Sequence, residues 1–271
     1  MNNIELLTIT KRRNKNDLKE WVDYHLAIGF EKITIIDNES EFSIQEFLSD
    51  YKNVEVIYFK GDLSHTGYGK QKSLAADFFM EKRGTTNWLG WFDDDEFLYV
   101  KNNVNILSLL NDDLETISFY WKFLSLPYII ETRNSSLIET FNYTTLQSSC
   151  ENQTHIKTLV NMNKFTNINF PTAHLPILNN THQKTTMANG EFTNFESNLI
   201  SGMEFYDCQP AVLYHYFHQS WDDWKYKCYK GIIDPNNPYL YRGRQQFESE
   251  IIGKYFYLDN SMVLKKIELG I

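Results

Sequence analysis

The chain has 271 residues, of which 42% are apolar and 23% are charged, so it can form a hydrophobic core and is not intrinsically disordered. Its formal net charge of −9 argues against a nucleic-acid-binding protein, because such proteins gain affinity by neutralising phosphates with cationic side chains. Its three cysteines, Cys150, Cys208 and Cys228, are too few and too scattered for a disulfide framework or a zinc site.

The first hundred residues alternate between strand-like and helix-like patterns. Strands are predicted at 4–10, 32–37, 54–59 and 88–92. Helices are predicted from a cap at Asn16 or Asp17 to about residue 27, at 43–48 and at 69–82. This alternation is typical of a parallel sheet covered by helices, in which ligands bind at the carboxyl ends of the strands. Functional residues are therefore expected directly after Ile36 and Phe92.

The rest of the chain is less regular. A short helix is predicted at 106–110, strands at 116–121 and 156–161, and a helix at 221–229. No internal repeat or linker is found, which favours a single domain over residues 1–271. Aromatic residues are concentrated late in the chain, where 15 of the 53 residues from 205 to 257 are Phe, Tyr or Trp.

The cellular location is predicted from what the chain lacks. Charged residues interrupt the N-terminal segment before any apolar run develops, so no secretory signal is expected. No stretch approaches the roughly 20 apolar residues that a spanning helix requires. We expect a cytoplasmic protein, and the sequence leaves its oligomeric state open.

Four consecutive carboxylates, Asp93 to Glu96, follow a buried apolar strand. Carboxylates this close raise one another's pKa unless a cation offsets them, and hard divalent cations prefer oxygen ligands. Alternation along the chain predicts that Asp93 and Asp95 face one side, and that Asp94 and Glu96 face the other. An exposed acidic turn is the alternative, but the position at the carboxyl end of a parallel strand favours a metal site.

Several short motifs occur in a fixed order along the chain. They are Glu20-Trp21-x-x-Tyr24-His25-x-x-x-Gly29, Ile36-Asp37-Asn38-x-Ser40, Gln71, Trp91-Phe92-Asp93-x-Asp95-Glu96-Phe97 and His215-Tyr216-x-x-x-Ser220-x-x-x-Trp224-x-x-Lys227-x-x-x-Gly231. Together they resemble nucleotide-sugar glycosyltransferases of the GT-A fold, specifically the family 92 type (formerly domain of unknown function 23) and its bacterial family 2-like relatives. The chain departs from that family at Lys11-Arg12-Arg13-Asn14, where the family favours Lys-Asn-Glu.

The resemblance implies an α/β fold of the Rossmann-like GT-A type. Its central, mostly parallel sheet would be flanked by helices and followed by an irregular, aromatic-rich C-terminal part. Residues 1–100 would then bind the nucleotide sugar, and residues 101–271 would bind the acceptor.

The resemblance also implies roles for single residues. Asp37 would bind the nucleobase or ribose, with a turn-capping role as the alternative. Asp93 and Asp95 would hold Mn²⁺ or Mg²⁺ on the two phosphates, with Asp95 as the direct ligand. A late histidine would complete the metal site, and His215 is a better candidate than His218 or His174. The remaining candidates for substrate binding are Lys11, Gln71, Trp221, Lys227 and Lys230.

The general base of an inverting transfer is not assigned by the sequence. Its function requires a carboxylate near the acceptor hydroxyl. The candidates are Glu139, Glu191, Glu196 and Asp222. The late aromatic residues are expected mostly in a core, with a few lining an acceptor groove.

The function expected from these features is metal-dependent transfer of a hexose, galactose or glucose, from a UDP-sugar to a glycan or glycolipid acceptor. The bacterial relatives suggest surface polysaccharide synthesis at the inner face of the plasma membrane. Peripheral membrane contact through Lys11, Arg12, Arg13 and Lys15 is left open. The alternatives are a non-catalytic sugar-nucleotide or glycan-binding module and a nucleotidyltransferase. The latter lacks support because no Gly-rich loop follows the first strand.

Overall fold

The computed structural model describes residues 3–63, 68–101, 104–145, 155–179, 184–190, 192–194, 209–229, 244–251 and 256–271. The helices are α1 (Lys15–Ala27), α2 (Ile44–Phe47), α3 (Tyr68–Lys82), α4 (Leu137–Thr140), α5 (Trp221–Tyr229), α6 (Arg244–Ile251) and α7 (Ser261–Leu269), with a 3₁₀ turn at Ile106–Leu109. The strands are β1 (Ile4–Thr10), β2 (Lys32–Asp37), β3 (Val54–Tyr58), β4 (Trp88–Trp91), β5 (Glu96–Val100), β6 (Thr116–Ser125), β7 (Tyr143–Thr145), β8 (Ile156–Asn161), β9 (Ile168–Asn169), β10 (Ile177–Leu178), β11 (Lys184–Met187), β12 (Phe192–Asn194), β13 (Ala211–His215) and β14 (Phe256–Leu258).

The first four strands form the parallel part of the sheet. β1 pairs in parallel with β2 and β4, and β2 pairs in parallel with β3, giving the order β4–β1–β2–β3. β1, β2 and β4 are almost entirely buried, as expected for parallel strands with helices on both faces. The predicted α/β class, with a central sheet flanked by helices, is confirmed. The carboxyl ends of these four strands lie at one edge of the sheet.

The start of α1 differs from the prediction. Asn14 caps the helix, and its side-chain oxygen accepts a hydrogen bond of 3.0 Å from the Asn16 amide. The predicted cap at Asn16 or Asp17 is therefore wrong. The buried Asp17 carboxylate instead forms an ion pair with Arg133.

Beyond the parallel strands, the sheet continues with mixed pairing. β8 pairs antiparallel with β4 and β6, while β13 pairs in parallel with β6 and antiparallel with β5. β5 was not predicted, because the charge of residues 93–96 indicates a loop. In the structure, Glu96 is already the first residue of this strand. The pairing places His215 directly opposite Glu96. Strand β13, late in the chain, thus places His215 beside the acidic run.

The two faces of the sheet are covered by different apolar cores. Leu6 packs with the α1 core, and the next residue, Leu7, packs with the α3 core. Of the late aromatic residues that the structure describes, Tyr214, Tyr216, Trp224 and Phe247 are buried, and Trp221 and Trp224 pack in a small cluster with α6. Within the described residues, no helix is both long enough and apolar enough to cross a bilayer. The single-domain organisation and its two functional halves remain predictions.

Candidate active site

A cleft of about 770 Å³ opens at the carboxyl ends of β1, β2, β3 and β4. Its other walls include Trp121 of β6, His215 of β13, and Tyr226 and Lys227 of α5. Among the described residues, the carboxylates that line it are Asp17, Glu39, Asp62, Asp93, Asp94, Asp95 and Asp223. The cationic side chains that line it are Lys11, Arg12, Arg13, Lys60 and Lys227. Seven carboxylates against five cations make the cleft acidic.

The acidic run forms a turn rather than an extended segment. The Glu96 amide donates a hydrogen bond of 3.0 Å to the Asp93 carbonyl. The predicted alternation is therefore wrong, because a turn sends neighbouring side chains in unrelated directions. The four carboxylates pair with three different cations, which come from β8, the loop after β1 and α5.

Asp95 contacts side chains from both α5 and β13. Its Oδ2 atom accepts a hydrogen bond of 2.6 Å from the Lys227 ammonium, and its Oδ1 atom is 3.4 Å from Nε2 of His215. Burial alone would raise the pKa of Asp95, but Lys227 and His215 hold the pKa well below its usual range. Asp95 is therefore ionised and placed to bind a cation.

Asp94 faces the loop after β1. Its carboxylate accepts hydrogen bonds from the Thr10 hydroxyl and from Nε of Arg12, and Nη2 of Arg12 donates to the Asp94 carbonyl at 2.8 Å. Burial raises the pKa of Asp94, and the neighbouring Arg12 opposes that rise. Asp94 thus fixes the acidic turn to the end of β1.

Asp93 and Glu96 share one lysine. The Lys157 ammonium is 3.2 Å from Oδ2 of Asp93 and 3.4 Å from Oε2 of Glu96, and the Lys157 side chain is fully buried. Glu96 also accepts a hydrogen bond of 2.7 Å from the Asp93 amide, and burial raises its pKa well above the usual range. Asp93, in contrast, is 42% exposed to the cleft. A lysine in a predicted strand beside Ile156, Leu159 and Val160 is the sequence signal that could have revealed this buried pair.

The motif of α1 positions β5. Nε1 of Trp21 donates a hydrogen bond of 2.7 Å to the Glu96 carbonyl, and the Tyr24 hydroxyl donates one of 3.1 Å to the Leu98 carbonyl. His25 accepts a bond of 3.4 Å from the Leu98 amide at Nε2. Burial lowers the pKa of His25 to about 3, so its ring is neutral. These motif residues hold the strand that follows the acidic turn.

The motif after β2 forms a second tight turn. Oδ1 of Asp37 accepts a hydrogen bond of 2.9 Å from the Ser40 amide, and Asp37 lines a neighbouring depression instead of the cleft. Nδ2 of Asn38 donates one of 2.7 Å to the Gly61 carbonyl. Between them, Glu39 has a left-handed backbone with φ 60° and lines the cleft. The turn-capping role of Asp37 is the one that the geometry displays.

Helix α5 is anchored by a charge network around Asp223. The Ser220 hydroxyl donates a hydrogen bond of 2.6 Å to Asp223. The Asp223 carboxylate also pairs with Arg13 and Arg133 at 3.0 Å each. Burial would raise the pKa of Asp223, but Arg133, Ser220 and Arg13 lower it to about 2. This network holds α5 beside the cleft, where Lys227 reaches Asp95.

The other predicted site residues are divided between the cleft and its surroundings. Lys11, Gln71 and His174 line the cleft, although the Gln71 amide donates to the Leu63 carbonyl. Burial lowers the pKa of His174 well below its usual value, so this ring is neutral. His218, Trp221, Asp222 and Glu139 are not among the cleft residues; Asp222 pairs with Lys225 and Glu139 with Lys266. Glu191, Glu196 and Lys230 lie outside the described residues.

The donor atoms of Asp95 and His215 fit one divalent cation. Ligands about 2.1 Å from a six-coordinate cation lie roughly 3 Å apart, close to the 3.4 Å between Oδ1 and Nε2. Asp93, predicted as a further ligand, contacts Lys157 instead. No group of three His, Cys, Asp or Glu side chains is arranged to hold a metal ion in the described parts of the chain. The protein thus offers two ligands, which suits a cation that also binds substrate phosphates and water.

The order of the strands, the acidic turn after β4 and the histidine beside it define a protein of the Rossmann-like GT-A class. The chain belongs to glycosyltransferase family 92, whose family model matches residues 13–238. It is 33% identical over 106 residues to a family 92 protein of Ricinus communis, covering 38% of this chain and 18% of that protein. It is 28% identical over 104 residues to a family 92 protein of Oryza sativa subsp. japonica, covering 37% and 17%. The matched part is thus less than a fifth of each curated relative.

Two solved structures show a distant likeness. One is the 4-diphosphocytidyl-2C-methyl-D-erythritol synthase of Anaerococcus prevotii, with a TM-score of 0.35 and 9% identity over 59% of this chain and 70% of that one. The other is a protein of Bacillus anthracis described as a glucose-1-phosphate thymidylyltransferase, with a TM-score of 0.32 and 10% identity over 59% and 72%. At these scores the likeness supports no argument about function.

Proposed function

We propose that this protein transfers a hexose from a UDP-sugar to a hydroxyl of a glycan or glycolipid acceptor, with Mn²⁺ or Mg²⁺ bound by Asp95 and His215. The observation that carries the proposal is the ionised Asp95 beside His215 and Lys227, at the carboxyl edge of the sheet of a family 92 chain.

The charge of the cleft supports a need for a cation. A nucleoside diphosphate is an anion, and it would meet more carboxylates than cationic side chains in this cleft. When bound, a divalent cation neutralises the charge that develops on the diphosphate leaving group. The acidity of the cleft therefore argues for a cation rather than against an anionic donor.

Two lysines are placed to bind the diphosphate. Lys227 contacts Asp95 at 2.6 Å and reaches over the acidic turn from α5. Lys11 lines the cleft and pairs with no carboxylate of the described residues. In the donor complex, Lys227 would exchange Asp95 for a phosphate oxygen and so stabilise the departing nucleotide.

The remaining parts of the proposal concern the reaction and its setting. We propose inverting transfer of galactose or glucose, with the general base still to be identified. We propose that the reaction serves bacterial surface polysaccharide synthesis in the cytoplasm, at the inner face of the plasma membrane. These parts rest on the family resemblance.

The proposal is tested by following donor consumption with a panel of UDP-sugars and Mn²⁺. We expect turnover that EDTA abolishes and that Asp95→Asn removes, whereas Asp113→Asn, which changes an exposed carboxylate outside the cleft, leaves it intact. No turnover, together with unchanged UDP affinity in Asp95→Asn, would contradict the proposal. Metal-dependent UDP binding without transfer to any acceptor would instead favour a binding module.

A further inference from the structure

His174 lies in the segment between β9 and β10 and lines the cleft. Its carbonyl accepts a hydrogen bond of 3.1 Å from the Thr158 hydroxyl, and its amide donates one of 3.3 Å to the Thr172 hydroxyl. Its ring packs edge-on against Trp121, with the two ring centroids 4.8 Å apart. The backbone and the side chain of His174 are therefore both held at the β8 side of the cleft.

The contacts of the His174 ring determine which of its nitrogens carries the proton. Nδ1 is 3.2 Å from the Ile156 carbonyl, and because a carbonyl only accepts hydrogen bonds, Nδ1 is the donor. Burial, together with Lys157 and His155, lowers the pKa of His174 well below its usual value, so the ring is neutral. The lone pair of a neutral ring is then on Nε2, which makes no hydrogen bond with any described residue. The cleft thus contains an imidazole nitrogen that can accept a proton.

The carboxylates of the cleft are less suited to accept a proton near the acidic turn. Five of them pair with cationic side chains, namely Asp17, Asp93, Asp94, Asp95 and Asp223. A neighbouring cation favours the ionised form of a carboxylate and so weakens it as a base. Glu39 and Asp62 come after β2 and β3, so β1 separates them from the acidic turn after β4. His174 lies on the opposite side of that turn, beside β8.

His174 is near the proposed metal site without belonging to it. The Trp121 ring is also 4.3 Å from the ring of His215, and the described structure shows no contact between the two imidazoles. In an inverting transfer the attacking oxygen enters opposite the leaving group, about 3 Å from the sugar C1 and about 3 Å from the base. The base therefore lies across the sugar from the metal-bound diphosphate, close to the metal but not bound to it. This step rests on the proposed function.

We infer that His174 is the general base of the transfer. The acceptor oxygen forms a bond to the sugar C1, while the bond from C1 to the diphosphate oxygen breaks and its electron pair leaves with UDP. Nε2 of His174 takes the proton of the attacking hydroxyl, and the imidazolium then releases this proton to water. The sequence favours a carboxylate for this role, whereas the geometry of the described cleft favours a histidine.

The test compares water and azide as nucleophiles, using Mn²⁺ and the UDP-sugar that the wild type turns over fastest. Water must lose a proton when it attacks C1, whereas azide is already an anion and forms a glycosyl azide without a base. His174→Gln should lower the rate with water by about 10²–10⁴-fold. Azide should restore turnover in His174→Gln and change the wild-type rate much less.

His155→Gln is the matched control. The His155 ring stacks on the same Trp121 ring, with a centroid distance of 4.9 Å, but His155 is not among the cleft residues. This variant loses a comparable ring contact and keeps the proposed base, so it should retain most of the rate with water. A loss in His155→Gln as large as that in His174→Gln would assign both histidines a packing role and overturn the inference.

The other outcomes separate this inference from the proposed function. If the wild type turns over a UDP-sugar and His174→Gln is equally fast with water, or is slow and not restored by azide, the inference is overturned while the proposed function stands. If the wild type turns over no UDP-sugar, both are overturned. Electron paramagnetic resonance should show the same Mn²⁺ affinity in the wild type and His174→Gln. A weaker affinity in the variant would make His174 a metal ligand and overturn its role as the base.

Discussion

Two turns face each other across the carboxyl edge of the sheet, and the chain stabilises them by different means. At the acidic turn, residues 93–96, the carboxylates pair with Lys157, Arg12 and Lys227, which come from three other segments of the chain. At the turn after β2, residues 37–40, the motif side chains bond to backbone groups nearby, and Glu39 stays unpaired among the described residues. The acidic turn carries more charged side chains than the turn after β2, and cationic side chains neutralise more of them.

Arg12 joins the two turns. Its amide donates to the Ser40 hydroxyl at 2.9 Å, its carbonyl accepts from the Glu41 amide at 2.8 Å, and its guanidinium binds Asp94. Burial would lower the pKa of Arg12, but Asp94, Asp17 and Asp95 raise it, so the guanidinium remains charged. The departure from the family pattern at residues 11–14 thus coincides with the residue that connects both turns.

The largest expected effect comes from removing the one carboxylate that is placed to bind the cation. Asp95→Asn should lower kcat/KM by about 10²–10³-fold, because it removes the charge that would hold the cation at the leaving group. Initial rates with the preferred UDP-sugar and saturating Mn²⁺ measure this. Asp94→Asn, which changes a carboxylate bound to Arg12, should cost less; an equal loss in both variants would erase the distinction between the two aspartates.

The next effect concerns stability. Lys157→Met should lower the free energy of unfolding by about 3 kcal/mol, because it removes the buried ammonium that contacts Asp93 and Glu96 and that opposes the rise in the pKa of Glu96. Urea unfolding of the wild type and variant measures this change. Adding Glu96→Gln should recover most of the loss, since an uncharged amide at this buried position needs no ionic partner. If Lys157→Met alone is as stable as the wild type, the acidic turn does not depend on Lys157.

A smaller effect on the free energy of unfolding is expected at low pH, from Asp223 in α5 beside the cleft. The pKa of Asp223 is about 2 in the folded protein, below its ordinary value of 3.8, so its ionised form stabilises the fold. This contribution is present above about pH 4 and is lost as the pH falls towards 2, with a total of about 2 kcal/mol. In Asp223→Asn, the free energy of unfolding measured in urea should depend less steeply on pH between pH 5 and 2.5. An unchanged slope would mean that Arg13 and Arg133 do not lower this pKa.

The smallest predicted change is a gain in affinity. Lys227→Met should raise the affinity for Mn²⁺ in the absence of nucleotide by roughly tenfold, because the ammonium no longer competes for Asp95. It should also weaken UDP binding, because a phosphate contact is lost. Electron paramagnetic resonance of free Mn²⁺ measures the first effect. Lys225→Met on the same helix is the control, and equal Mn²⁺ affinity in all three proteins would contradict the competition.

The sequence predicted the parallel strands well because each alternates with a helix and consists mostly of β-branched, aromatic or other apolar residues. The resemblance also pointed to Asp95, His215 and Lys227, which the fold brings together, while their roles stay predictions. It could not identify their cationic neighbours, because Lys157 lies about 60 residues beyond the acidic turn in a strand whose pairing is not encoded locally. Asp37 shows a different limit of sequence reasoning. A carboxylate after β2 fits both nucleotide binding and turn capping, and only the turn geometry distinguishes these two roles.

The most direct test of the account is a crystal structure with UDP and Mn²⁺. The account predicts an anomalous scattering peak bound by Asp95 and His215, with Lys227 moved from the carboxylate to a phosphate oxygen of UDP. UDP bound with Lys227 still on Asp95 and no metal peak at that carboxylate would contradict it.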